Sequence, residues 1–98
     1  MSEFRTQATI AADHPCLAGH FPGNPIVPGV VLLEQVAVAL CEWRGAAVGI
    51  GGFPTVKFLS PLRPDERMEI ILSDGDGTEL RFRCEAAGRL LAQGSIQT

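Results

Sequence analysis

The twelve residues from Val30 to Cys41 contain one charge, Glu34, and little else that is polar besides Gln35. Pro28 lacks the N–H that a first helical turn leaves unpaired, and Gly45 supplies a stop, so the spacing predicts one helix over Val30–Arg44, about four turns long. Val30, Val31, Leu32, Leu33, Val36, Ala37, Val38, Ala39, Leu40 and Cys41 cover every face of it, whereas a helix lying on a surface keeps a polar stripe. The rest of the chain is therefore expected to wrap around this helix. The surrounding apolar run, Ile26–Leu40, is broken by Pro28, Gly29, Glu34 and Gln35 and is shorter than the ~20 residues a bilayer span needs, so no membrane span is expected.

The flanking sequence supplies the wrapping. Phe4, Thr6, Ala8 and Ile10 alternate with Arg5, Gln7 and Thr9, the period of a strand with one buried face. Residues 12–28 then carry four prolines and two glycines, too many breakers for a regular element, and read as a long, stiff loop of the kind that carries function. Beyond the helix, strands are expected near Phe53–Leu59, Glu66–Ser73, Glu79–Ala87 and Arg89–Gln97. Asp74-Gly75-Asp76-Gly77 has the chemistry of a hairpin turn, and 61–65 forms a wider one. One apolar helix with about five strands in antiparallel order predicts an α+β domain, a curved sheet wrapped around a central helix.

With 98 residues, 46% of them apolar, the chain is expected to be a single domain spanning 1–98. Eight Lys and Arg against eleven Asp and Glu leave a net charge of −3 with no basic cluster to follow a phosphate backbone, which argues against a nucleic-acid partner. Cys16, Cys41 and Cys84 are odd in number and widely spaced, and no secretory signal is legible at the N-terminus; free thiols in the cytoplasm are expected. Cys41 and Cys84 read as small core residues and Trp43 as a packing anchor. His14, Cys16 and His20 share the proline-rich loop without a fourth candidate ligand nearby, so no metal site is expected.

Three features carry chemistry. Glu34, on an apolar helix, must either reach a subunit boundary, pair with an arginine such as Arg44 or Arg63, or serve as an acid of raised pKa in a cleft. His20 stands between Gly19 and Phe21 in the stiff loop, as a preorganised base or as an ordinary solvated histidine. The helix start at Pro28-Gly29-Val30 offers unpaired N–H groups and the positive end of the dipole, with Gly29 admitting a ligand oxygen closely. A base, an acid and an electrophilic backbone suit proton transfer next to a carbonyl.

Residues 19–34, Gly-His-Phe-Pro-Gly-Asn-Pro-Ile-Val-Pro-Gly-Val-Val-Leu-Leu-Glu, closely resemble the signature of bacterial 3-hydroxyacyl-acyl-carrier-protein dehydratases. Val56-Lys57-Phe58-Leu59-Ser60-Pro61-Leu62-Arg63-Pro64-Asp65 looks like the segment that shapes the substrate tunnel in that family. The resemblance implies the hot-dog fold, and His20 and Glu34 as catalytic residues that remove water from a 3-hydroxyacyl thioester. His20 takes the proton next to the thioester and Glu34 protonates the departing hydroxyl. Phe21, Gly29, Val30 and Phe58 are the implied substrate-binding residues. The implied partner is an acyl carrier protein, which Lys57, Arg63 and Arg67 would face unless they are simply solvated. No metal or diffusible cofactor is implied. The implied minimum unit is a homodimer, in which the histidine and the acid of one site come from different chains. The chain departs from the family in having Val38 where a glutamine often follows the acid by one turn, and Cys16 and Leu17 where aromatics precede the Gly-His pair. It also lacks the opening helix and strand of longer relatives, which makes it similar to the small dehydratases of aryl polyene-type pathways. Two other readings stay open: a hot-dog thioesterase, and a non-catalytic partner subunit of a dehydratase complex.

Overall fold

The computed structural model describes residues 3–11, 27–45, 48–75 and 77–98. Along the chain run β1 (Glu3–Thr9), α1 (Gly29–Arg44), β2 (Gly52–Phe58), β3 (Arg67–Asp74), β4 (Glu79–Ala86) and β5 (Arg89–Gln97). The strands form one antiparallel sheet in the order β1-β3-β4-β5-β2, with β1 and β2 at its edges. This is the expected α+β architecture, with element ends within about two residues of the expected ones.

Alternation sets which face of the sheet is dry. On β4, Leu80, Phe82, Cys84 and Ala86 are buried while Arg81 and Arg83 are exposed. Two-residue turn geometry joins β4 to β5, where Ala87 and Gly88 both take positive φ, 50° and 78°. The β3–β4 turn uses Gly77 at φ 61°, as the Asp-Gly chemistry predicts. Helix residues Val31, Leu32, Val36, Ala39 and Leu40 meet Met68, Ile70, Leu72, Phe82 and Ile96 of the sheet in one core. Trp43 anchors the helix end, its ring stacked on Phe4 at 6.1 Å between centroids, with the Arg44 guanidinium 3.9 Å above it.

The helix corrects one expectation. Only one side of α1 is packed against the sheet; Val30 and Val38 are 63% and 52% exposed, and Glu34, Cys41 and Glu42 are exposed with them. Positions 30, 34, 38 and 41 recur at helical spacing, so they form a single outward stripe. The sequence shows an apolar residue on every face but not whether each face is covered by this chain. Cys41 is thus not a core residue, whereas Cys84 is fully buried.

The loop between β2 and β3 holds the helix start in place. The Val27 N–H donates to the Leu62 carbonyl at 2.8 Å, and the Asp65 N–H to Ile10 at 2.7 Å. Leu59 and Ser60 both donate to the Leu91 carbonyl of β5. Arg89 closes the loop from the side, donating to both Glu66 carboxylate oxygens at 2.8 and 2.7 Å and to the Pro61 carbonyl at 3.0 Å. That forked hydrogen bond is the main reason the Glu66 carboxyl is held below its usual range.

Candidate active site

The site is built around the first turn of α1. Pro28, at φ −60° and ψ 145°, precedes the helix and offers no side-chain acceptor, and the first turn contains no acidic residue. The first backbone bond of the turn runs from the Val31 N–H to the Pro28 carbonyl at 3.0 Å. The Gly29 and Val30 N–H groups therefore have no partner among the described residues, as expected of an uncapped helix start. They lie at the positive end of a sixteen-residue dipole.

A largely apolar hollow of about 390 Å3 opens beside these donors, lined by Val27, Gly29, Leu32, Phe58, Leu59, Ser60 and Pro61. The Phe58 ring lies directly against Gly29: a Cβ there would stand 2.7 Å from Cζ. Only glycine lets the ring and the helix start approach this closely, which gives Gly29 a steric role beside its electrostatic one. Phe58 is 52% and Leu59 49% exposed, so the mouth of the hollow is apolar and open.

Glu34 does not line this hollow. It stands one turn after Val30 on the outward stripe, exposed, and neither arginine considered for it is its partner. Arg44 instead pairs with Asp74 at 2.8 Å. Arg63 donates its backbone N–H to Glu66 at 3.3 Å, and among the described residues it forms no ion pair with Glu34. The compensation expected for a buried carboxylate is thus not needed within one chain. The structure brings Gly29 and Phe58 together and sets Val30 and Glu34 on one adjoining face. His20 and Phe21, like His14 and Cys16, lie outside the described residues. The Arg89–Glu66 clamp that fixes the Ser60–Pro61 wall was not legible, because its members are 23 residues apart with no motif linking them.

An antiparallel sheet carrying one long helix is the hot-dog architecture, and the uncapped donors beside the hollow can bind an oxygen acceptor there. A family model described as ApeI-like, ApeI dehydratase, matches residues 1–95, and the chain belongs to that family. It is 37% identical to the 3-hydroxyacyl-acyl-carrier-protein dehydratase FabZ of Rhizobium rhizogenes, an alignment covering 89% of this chain and 62% of the relative. It is 34% identical to the FabZ of Thermomicrobium roseum, covering 89% and 66%. The chain thus spans just under two thirds of the length of these curated relatives. Among solved structures, the dehydratase heterocomplex ApeI:P from Xenorhabdus doucetiae superposes with a TM-score of 0.83 at 25% identity, over 97% of this chain and 85% of that one.

Proposed function

We propose that the chain dehydrates carrier-bound 3-hydroxyacyl thioesters to trans-2-enoyl thioesters, in fatty-acid or polyene-type chain synthesis. The observation that carries this reading is the pair of unpartnered N–H groups at Gly29 and Val30 beside an apolar hollow, one turn from Glu34. The thioester oxygen accepts from the Gly29 N–H, which stabilises enolate-like charge as the neighbouring carbon loses its proton to His20; a donor so placed is worth about 3 kcal/mol. Glu34 delivers a proton to the departing hydroxyl, which leaves as water. Phe21, Val30 and Phe58 hold the acyl chain. The substrate arrives on the phosphopantetheine arm of an acyl carrier protein, and no metal or diffusible cofactor enters the chemistry.

In this reading the 98 residues are one domain, active in the cytoplasm as at least a homodimer. The exposed stripe of Val30, Glu34, Val38 and Cys41 supports that assembly: a carboxylate flanked by two exposed valines is suited to a second chain that supplies the histidine. No helix among the described residues is long and apolar enough to cross a membrane. The ApeI:P neighbour is a heterocomplex, which favours a second reading in which this stripe meets a different chain.

Intact-mass measurement of carrier-bound 3-hydroxyacyl substrate tests the proposal. Loss of one water, abolished by His20→Ala and by Glu34→Ala, is the expected result. Loss of the whole acyl group would replace dehydration by thioester hydrolysis. An unchanged mass across short, long and aryl substrates would leave the heteromeric reading in its place.

A further inference from the structure

The sheet face turned away from α1 carries a second hollow, about 570 Å3, remote from the helix start. Strand register arranges its centre as a block of two rows across β4, β5 and β2. Arg81 faces Ser95, which faces Thr55; Arg83 faces Gln93, which faces Lys57. With strands about 4.8 Å apart and same-face neighbours roughly 7 Å apart, the block is about 10 by 7 Å, so its long cationic side chains can converge on one small ligand.

Two further observations give this block the character of a binding site. Ser95 is only 6% exposed, and its Oγ is the one buried side-chain polar atom without a hydrogen-bond partner among the described residues. Such a group carries an uncompensated desolvation cost and calls for an acceptor or donor above it. Arg81 and Lys57 form no ion pair among the described residues. Arg83 is held by Glu85 through Nε at 2.7 Å, which leaves its terminal N–H groups to donate elsewhere. The acidic residues that also line the hollow, Glu3 and Glu79, stand outside the block. Glu3 is two strands from Arg81, with Ser73 between them, and is beside Arg5 at 3.5 Å, and Glu79 is in the next row toward the β3–β4 turn.

We infer that this outer-face block is an oxyanion site that takes a phosphate group between Lys57, Arg81 and Arg83, with the Ser95 hydroxyl donating to it from below. The ligand is inorganic phosphate or the phosphate of a monoester. Its recognition is independent of the thioester chemistry, since none of these residues borders the Gly29 hollow.

The test is a titration of the 15N-labelled full chain with sodium phosphate, with chloride adjusted to hold ionic strength constant. Saturable amide shifts confined to residues 55–57, 81–83 and 93–95 are expected, weakened about tenfold by Arg81→Gln and lost in the Arg81→Gln, Lys57→Gln double variant. Shifts that grow linearly without saturating, that chloride reproduces, or that survive the double variant overturn the site. Ser95→Ala removes only the stranded hydroxyl. It is expected to raise the melting temperature without phosphate and to shrink the phosphate-induced rise, and an undiminished rise contradicts the assigned hydroxyl. Glycerol 3-phosphate distinguishes the sources: tighter binding than inorganic phosphate identifies an ester ligand, equal or weaker binding the free ion.

Discussion

Ala87 holds a left-handed backbone at φ 50° in the β4–β5 turn, where an L side chain with a Cβ is disfavoured and asparagine is well tolerated. Ala87→Asn should stabilise the chain by about 1 kcal/mol, read as a higher denaturant midpoint at unchanged slope. The Arg89–Glu66 clamp makes a pH-dependent contribution of definite sign. Because Arg89 lowers the Glu66 pKa in the folded state, its stabilisation is present above the unfolded glutamate value, about 4.3, and is lost as pH falls through the lower folded value. Arg89→Gln should therefore melt below the parent at pH 7, with the gap closing in acid. A gap that stays constant down to pH 2 would remove the ion pair from the account. Burial pushes the Cys84 thiol up to about 12, so it should resist alkylation at pH 8 in the folded protein.

At the scale of elements, strand positions followed from period-two alternation and turn residues, because both are local and both survive folding unchanged. The helix was equally legible from Pro28 to Gly45. Its burial was not, since an apolar face covered by the chain's own sheet and one left for another chain have the same composition. That ambiguity misplaced Cys41, which lies on the outward stripe with Val30 and Val38, whereas Glu34 on the same stripe fits the subunit-boundary alternative left open for it. Truncating the packed side, Leu40→Ala, should cost about 2–5 kcal/mol in chemical denaturation, whereas Val38→Ala should cost little within one chain. Register was also illegible at one point. A Cβ at Gly94 would collide with the Thr55 carbonyl, so β2 approaches β5 there only because the residue is glycine. Gly94→Ala should destabilise by about 1–3 kcal/mol or more by forcing the edge strand away.

For the whole molecule, the order β1-β3-β4-β5-β2 leaves β2 at an edge, beside the exposed Phe58 and Leu59 at the Gly29 hollow. The apolar helix stripe, the apolar mouth and the open edge are surfaces a second chain can cover together. Of the candidate site, the helix half was readable and is seen: Gly29 and Phe58 in contact, with Val30 and Glu34 on the neighbouring face. The loop half rests on the Gly-His-Phe-Pro-Gly motif, since His20 and Phe21 lie outside the described residues. A site whose acid points away from its own hollow is sensible if the two halves are completed across chains.

Mixing two inactive variants tests that claim most directly. His20→Ala and Glu34→Ala, each without turnover alone, are unfolded together, refolded and assayed for loss of water from carrier-bound 3-hydroxyacyl substrate. Random pairing across a shared interface should restore roughly one quarter of parental activity, because half of the dimers are mixed and each holds one intact site. Activity that stays at the level of the separate variants, in a mixture shown by native mass spectrometry to contain mixed dimers, would contradict a site shared between chains.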